Sequence, residues 1–106
     1  MKLWWNGNVI DENEAVIPFS DHGFLYGMGL FETFRTYNGQ PFLLNRHLKR
    51  LSAGLSELRI RCEPGEEEVL KAVHALLDAN GLSDAYIRLS VSAGPAPHGL
   101  PAVSGY

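Results

Sequence analysis

The feature that most constrains this fold is the stretch of residues 21–35, which reads DHGFLYGMGLFETFR. Its three glycines let the backbone turn at positive φ or approach another surface closely. The alternation that follows predicts a β-strand from Leu30, with Phe31, Thr33 and Arg35 on one face. A ring, a hydroxyl and a guanidinium would then point the same way beside a glycine-rich bend. We interpret this as one wall of a pocket for a small anionic ligand.

Short alternating segments separated by turn pairs predict an antiparallel sheet. Asn6-Gly7 and Asn38-Gly39 are strong hairpin turn pairs. Pro18 closes a short apolar segment. The predicted strands are residues 3–6, 8–10, 15–17, 30–37, 41–44 and 85–93.

The hydrophobic period changes to that of a helix after the second hairpin. Asn45 is placed to cap the first helix, and the acidic run 66–68 suits the start of a second. Asn80-Gly81 is a stop signal for the second helix. The apolar stripes are Leu44, Leu48, Leu51, Leu55 and Leu58 in the first helix, and Val69, Leu70, Val73, Leu76 and Leu77 in the second. The predicted fold class is α+β, a two-layer antiparallel sheet with two helices on one face.

The composition of the chain argues against several classes of function. The chain has 106 residues, of which 45% are hydrophobic, which fits one globular domain. Twelve acidic and nine basic residues give a net charge of −3, so a dedicated nucleic-acid binder is not expected. No apolar run is long enough to cross a bilayer and no signal peptide is visible. A single cysteine, Cys62, allows no internal disulfide, so we expect a cytoplasmic protein.

The composition shifts at Gly94 to a segment rich in glycine and proline. We therefore expect residues 1–93 to form one domain and residues 94–106 to begin an interdomain connection.

Three arginines are candidate anion ligands, each with a plainer alternative. Arg50 is either a solvated helix residue or a phosphate ligand. Arg35 is either an exposed charge on a sheet edge or part of a cleft, and Arg88 either holds an anion or faces water. His98, in the proline-rich segment, could reach a ligand. The four histidines show no compact metal-ligand spacing, so no metal site is predicted.

Taken together, these residues resemble the N-terminal domain of the fold-type IV pyridoxal-phosphate enzymes. That family includes branched-chain aminotransferases, D-amino-acid aminotransferases and 4-amino-4-deoxychorismate lyases. The matching segments are WNG at 5–7, residues 21–35, YNG at 37–39, HLKRL at 47–51 and YIRLSVSAG at 86–94. The combination is specific in its order and spacing, although no single piece is.

The resemblance implies roles for matching residues. Arg50, in the HLKRL segment, matches the arginine that binds the phosphate of pyridoxal 5'-phosphate. Phe31 and Arg35 match positions facing the substrate pocket, to which we also assign Arg88. Tyr26 matches a ring that can reach the neighbouring subunit's site in such dimers, and His98 lies in a loop that holds substrate-carboxylate ligands in some members.

Three departures from the family pattern bear on the subgroup. Met28 stands where an aspartate is common between two glycines, and Phe31 replaces the tyrosine of D-amino-acid aminotransferases. Those enzymes also carry an Arg-x-His carboxylate trap where this chain reads His98-Gly99-Leu100. The last two changes argue against that subgroup, and the ending of the chain resembles Gram-positive 4-amino-4-deoxychorismate lyases.

The resemblance also implies what lies outside this chain. The family's catalytic lysine lies in a second domain further along, so no catalytic residue is expected here and the chain is expected to be the N-terminal half of an enzyme. The intact protein is expected to be a homodimer that uses pyridoxal phosphate. The half alone should bind the cofactor weakly or not at all, and should self-associate through exposed apolar surface.

The expected reaction is elimination of pyruvate from 4-amino-4-deoxychorismate, which gives 4-aminobenzoate for folate synthesis. The alternatives are a transaminase with an amino-acid-like substrate, of branched-chain or D-amino-acid type, and a non-catalytic binding module that kept the fold.

Overall fold

A computed structural model describes residues 1–95 of the chain. The strands are β1 (Lys2–Trp5), β2 (Asn8–Asp11), β3 (Gly29–Tyr37), β4 (Gln40–Pro41) and β5 (Ala85–Ser92), and the helices are α1 (His22–Tyr26), α2 (Leu44–Glu57) and α3 (Glu66–Asn80). A 3-10 turn covers Glu12–Glu14. Most of the predicted connection, residues 96–106, lies outside the described residues, and so does His98.

The strands form two separate antiparallel sheets rather than one. β1 and β2 pair as a hairpin around Asn6-Gly7, while the second sheet has the order β4-β3-β5. β5 pairs along its whole length with β3, from Ser92 opposite Gly29 to Ala85 opposite Thr36. The turn at Asn38-Gly39 has two positive φ angles, 51° and 77°, as a tight two-residue hairpin turn requires.

The core lies between the β4-β3-β5 sheet and the two long helices. Phe34 points from β3 into this layer and is 3% exposed. The predicted leucine stripe of α2 is confirmed, since its first four members are buried and Leu58 packs beside them. α3 buries Val69, Val73 and Leu77 in the same layer. The predicted α+β class with helices on one face is therefore confirmed.

Two boundary predictions are wrong at the start of α2. The helix begins at Leu44, so Asn45 lies inside its first turn and caps nothing; the N-cap residue is Leu43, at φ 56°. The returning strand stops at Pro41 rather than at Leu44, because Phe42 and Leu43 turn the chain into the helix. Hydrophobic residues at 42–44 fit a strand and a helix start equally well by pattern alone.

The predicted strand at residues 15–17 is also wrong. These residues are irregular in the structure, and Val16 and Ile17 are exposed. The segment is too short to hold an extended conformation without a pairing partner, and the structure gives it none within residues 1–95.

The glycine-rich segment folds into α1, which was not predicted. Asp21 caps this helix by accepting a hydrogen bond from the backbone of Phe24. Gly27 ends it at φ 69°, a left-handed conformation that favours glycine. Gly29 opens β3 so close to β5 that a Cβ there would lie 2.9 Å from the carbonyl oxygen of Val91. The turn and the close approach expected from the glycines both occur.

None of the helices within residues 1–95 combines the length and the apolar character needed to cross a membrane.

Candidate functional site

The two faces of β3 carry different chemistry. Because side chains alternate along a strand, Phe31, Thr33 and Arg35 lie on the face away from the helices, and Glu32 and Phe34 lie on the face toward them. The predicted common face for residues 31, 33 and 35 is therefore confirmed, and we call it the open face.

On the open face, two arginines lie over aromatic rings of the neighbouring strand. The guanidinium carbon of Arg88 is 4.0 Å from the ring centroid of Phe31. That of Arg35 is 4.3 Å from the ring centroid of Tyr86, directly opposite it in the register, and 5.8 Å from that of Tyr37. Cation–π contacts of this kind restrain the two guanidinium groups, and Arg88 Nε also donates a 3.3 Å hydrogen bond to the Ser90 hydroxyl. The open face therefore offers two oriented cations beside flat apolar surface.

On the helix side, Glu32 binds two residues of α2. Its carboxylate accepts hydrogen bonds from Arg50 Nη2 at 2.7 Å and from Arg50 Nε at 3.1 Å, and Oε1 lies 2.8 Å from His47 Nδ1. His47 and Arg50 are three residues apart, which places them on the same side of the helix. Glu32 is 10% exposed, whereas Arg50 is 71% exposed. The guanidinium is therefore exposed to solvent, while the carboxylate that binds it is nearly buried.

In this ion pair each partner favours the charged form of the other, which shifts the pKa values of both. The hydrogen bond from Arg50, assisted by His47, lowers the pKa of Glu32 below its ordinary value of 4.5, although burial opposes the shift. Glu32 in turn raises the pKa of Arg50. Glu32 is therefore ionised at neutral pH.

Tyr26 lies on α1, half exposed, with its ring edge-on to that of His22 at 5.0 Å. α1 is held beside the end of β5, because Asp21 accepts a 2.8 Å hydrogen bond from the Ser92 hydroxyl. A Cβ at Gly23 would lie 2.6 Å from the Ser92 Cβ, so only glycine fits this contact.

Besides Tyr26 on α1, the structure places four of the predicted site residues on the two sides of one sheet. Phe31, Arg35 and Arg88 come together on the open face, whereas Arg50 lies on the helix side of the same sheet. His98 lies outside the described residues.

Sequence reasoning missed three residues of this arrangement, namely Tyr86, Glu32 and His47. Tyr86 shares the alternation of Arg88 along β5, which could have pointed to it. The spacing of His47 and Arg50, together with an acid at an inward position of the strand, was the available signal for Glu32.

Among residues 1–95, no group of three or more histidine, cysteine, aspartate or glutamate side chains is placed to hold a metal ion.

Comparison with known proteins identifies the family. The sequence model of amino-transferase class IV matches residues 29–105. The chain belongs to the class IV aminotransferases. It is similar to aminodeoxychorismate lyase of Bacillus subtilis (strain 168), with 43% identity over 102 residues, which cover 94% of this chain and 35% of the relative.

A second relative is a Methanocaldococcus jannaschii protein provisionally named a branched-chain-amino-acid aminotransferase. It is 42% identical over 100 residues, again covering 94% of this chain and 35% of the relative. The chain therefore spans about a third of the length of the curated relatives it matches.

Solved structures agree with the family assignment. The branched-chain amino acid aminotransferase of Escherichia coli matches with a TM-score of 0.83 and 26% identity, over 98% of this chain and 36% of that chain. A T.th. branched-chain amino acid aminotransferase, in complex with N-(5'-phosphopyridoxyl)-L-glutamate, matches with a TM-score of 0.81 and 29% identity. That match covers 92% of this chain and 34% of the other. The expected N-terminal fold of a class IV aminotransferase is confirmed, and the ligand of the second structure is a phosphopyridoxyl compound.

Proposed function

We propose that this chain is the N-terminal part of a homodimeric, cytoplasmic enzyme that uses pyridoxal 5'-phosphate and releases pyruvate from 4-amino-4-deoxychorismate. The observation that carries a carboxylate-bearing substrate is the pair of arginines that lie over aromatic rings on the open face. The relative named aminodeoxychorismate lyase supports the reaction, at 43% identity.

The helix side supplies a phosphate ligand. The hydrogen bonds of Arg50 to Glu32 use Nε–H and Nη2. A guanidinium has five N–H donors, so donors on its outer edge remain for a phosphate. The side chain is mostly exposed, which leaves room for one. The residues present therefore fit one side of a pyridoxal-phosphate site, and the other side is expected from a following domain.

The open face suits a flat molecule with two carboxylates. 4-Amino-4-deoxychorismate carries one carboxylate on its ring and one on its enolpyruvyl group. Arg35 and Arg88 would each hold a carboxylate through charge-assisted hydrogen bonds, while Phe31 and Tyr86 restrain the two guanidinium groups. Tyr26 would complete the pocket of the partner subunit, and His98 would approach the substrate carboxylate.

The proposed elimination breaks the bond between the ring and the enolpyruvyl oxygen, and removes the hydrogen from the ring carbon that bears the amino group. The enolpyruvyl group leaves as the enolate of pyruvate and takes up a proton at its methylene carbon, which balances the proton lost from the ring, and the ring becomes aromatic. When bound, pyridoxal phosphate supplies an acceptor for the electrons released at that carbon. We assign orientation to Arg35 and Arg88, and no proton transfer to residues 1–95.

A transaminase is the second candidate, because the second relative is almost as similar and its provisional name is that of an aminotransferase. In that case the same arginines would hold the carboxylates of amino-acid substrates.

The test uses the protein as its gene encodes it. We expect 4-amino-4-deoxychorismate to yield 4-aminobenzoate and pyruvate in equal amounts, with little transfer of amino groups from branched-chain or D-amino acids to 2-oxoglutarate. The reverse pattern would replace the lyase by the transaminase. Turnover of neither substrate class would support the binding module.

Substitutions on the open face test the assigned roles. Arg35→Gln and Arg88→Gln each remove a charged donor, so KM for 4-amino-4-deoxychorismate should rise roughly 10- to 100-fold. Arg61→Gln, at an exposed arginine beyond α2, is the matched control and should change KM little. Equal KM values for all three variants would remove the open face from the substrate site.

A further inference from the structure

We infer that Glu32 and His47 position Arg50 for the phosphate group of the cofactor; the inference rests on the proposed function. Neither residue need touch the phosphate. Each would act through the guanidinium, which makes them positioning residues.

Hydrogen bonds link the exposed guanidinium of Arg50 to the carboxylate of Glu32 on β3. Arg50 Nε lies 3.1 Å from each oxygen of the Glu32 carboxylate, and Arg50 Nη2 lies 2.7 Å from Oε1. This two-pronged geometry fixes the plane of the guanidinium as well as its location. An arginine on the surface of a helix without such a partner would sample many rotamers.

His47 fixes the carboxylate itself. Its Nδ1 lies 2.8 Å from Oε1, and its ring packs against that of Phe34 at 5.6 Å between centroids. With the proton on Nδ1, the imidazole donates to Glu32 whether it is neutral or charged. Nδ1 also lies 3.4 Å from Arg50 Nη2, but a protonated Nδ1 cannot accept that hydrogen bond. The contact with Glu32 is therefore the one that orients the group.

Two effects of Glu32 on phosphate binding oppose each other. Its negative charge offsets part of the attraction between Arg50 and a phosphate. Its hydrogen bonds also hold Arg50 in one orientation before the phosphate arrives, which lowers the entropy lost on binding. We infer that orientation dominates, because Arg50 is exposed to solvent, where charge repulsion is screened, while the carboxylate that holds it is nearly buried.

The test compares dissociation constants for pyridoxal 5'-phosphate and for pyridoxal, which lacks the phosphate, in the protein as its gene encodes it. The dissociation constant for pyridoxal divided by that for pyridoxal 5'-phosphate isolates the contribution of the phosphate, and we call this quotient the ratio. Glu32→Gln should reduce this ratio roughly tenfold, the effect of one charge-assisted hydrogen bond, and leave pyridoxal binding unchanged. His47→Gln should reduce it less. Glu67→Gln, at an exposed carboxylate in the first turn of α3, is the control.

A second readout needs no ligand. The Nε–H signal of Arg50 in nitrogen NMR spectra should be protected from solvent exchange in the wild-type protein and lose that protection in Glu32→Gln. An unchanged or increased binding ratio in Glu32→Gln would overturn the inference. So would an equal loss of affinity for both ligands, which is the result expected if Glu32 only joined α2 to the sheet.

Arg50→Ala separates this inference from the proposed function. If Arg50→Ala leaves the ratio unchanged, Arg50 does not bind the phosphate, and the proposed cofactor site fails together with the inference. If Arg50→Ala reduces the ratio and Glu32→Gln does not, only the positioning role fails.

Discussion

A single carboxylate, that of Glu32, binds two side chains of α2 and ties that helix to β3. Its neighbours stabilise the ionised form, which is why its pKa lies below the ordinary value. A group of this kind stabilises the fold only while it is ionised.

Acid should therefore remove this contribution. It is fully present above the pKa of Glu32 in the unfolded chain, near 4.5, and is lost as the pH falls through the lower pKa of the folded state. The difference in free energy of unfolding between wild type and Glu32→Gln should be largest at neutral pH and shrink in acid. Urea unfolding across this range measures it, with Glu67→Gln as the control for removing one surface charge. A difference that does not change with pH would contradict the ion pair.

Asp21 is the second residue whose loss should be costly, because its buried carboxylate accepts two hydrogen bonds. One comes from the backbone of Phe24 at 3.1 Å and the other from the Ser92 hydroxyl at 2.8 Å. Asp21→Ala should lower the free energy of unfolding by about 1–3 kcal/mol. Asp11→Ala, which removes the cap of an exposed turn, should cost about 0.5 kcal/mol. Chemical denaturation measures both, and equal effects would contradict the role of burial.

At the level of elements, the start of β3 at Gly29 lies close against the end of β5. A Cβ there would lie 2.9 Å from the carbonyl oxygen of Val91 and 3.2 Å from the Ser92 Cα, and backbone atoms cannot move aside as a side chain can. Gly29→Ala should therefore destabilise the protein by about 1–3 kcal/mol. At Gly65, with negative φ and nothing within 4 Å of an added Cβ, alanine should cost less than about 1 kcal/mol. Thermal unfolding of both variants tests the difference.

The long elements were predicted correctly because one period runs for many residues in each, whereas the short β1-β2 hairpin was predicted from its Asn6-Gly7 turn pair. β3 and β5 alternate over nine and eight residues, and α2 repeats its leucines over four turns, so a one-residue error would expose the core. Residues 15–17 and 42–44 have no such length. Their conformation depends on what packs against them, which a local pattern does not contain.

The candidate site likewise contains residues that a periodic pattern predicts and residues that depend on tertiary packing. Alternation placed Phe31 and Arg35 on one face of β3, and in the structure Arg88 of β5 lies on the same face. Alternation alone does not pair Glu32 with Arg50, because the two residues lie 18 apart in the sequence. Only the packing of α2 across β3 brings them together.

Across the whole described chain, several large apolar side chains near α1 face solvent. Val16, Phe19 and Phe24 are each more than 70% exposed, and Ile17 is 61% exposed. Exposed apolar surface of this kind marks a contact surface or an aggregation site.

The 106-residue chain alone should therefore self-associate, and sedimentation should give a mass above that of the monomer at high concentration. Phe19→Ser and Phe24→Ser should shift the distribution toward monomer. Leu82→Ser, at an exposed leucine after α3, should not. A clean monomer at all concentrations would contradict this prediction.

The alternation of β3 has a practical consequence for anyone who wishes to change what this protein acts on. Codons 31, 33 and 35 specify side chains on the open face, while codons 32, 34 and 36 specify an ion pair and two buried residues on the other. A library that randomises only the odd codons would vary the proposed recognition surface and leave the interior and the anchor of Arg50 as they are. Within this nine-residue strand, substrate specificity could thus be varied at the odd positions while the even positions keep the fold.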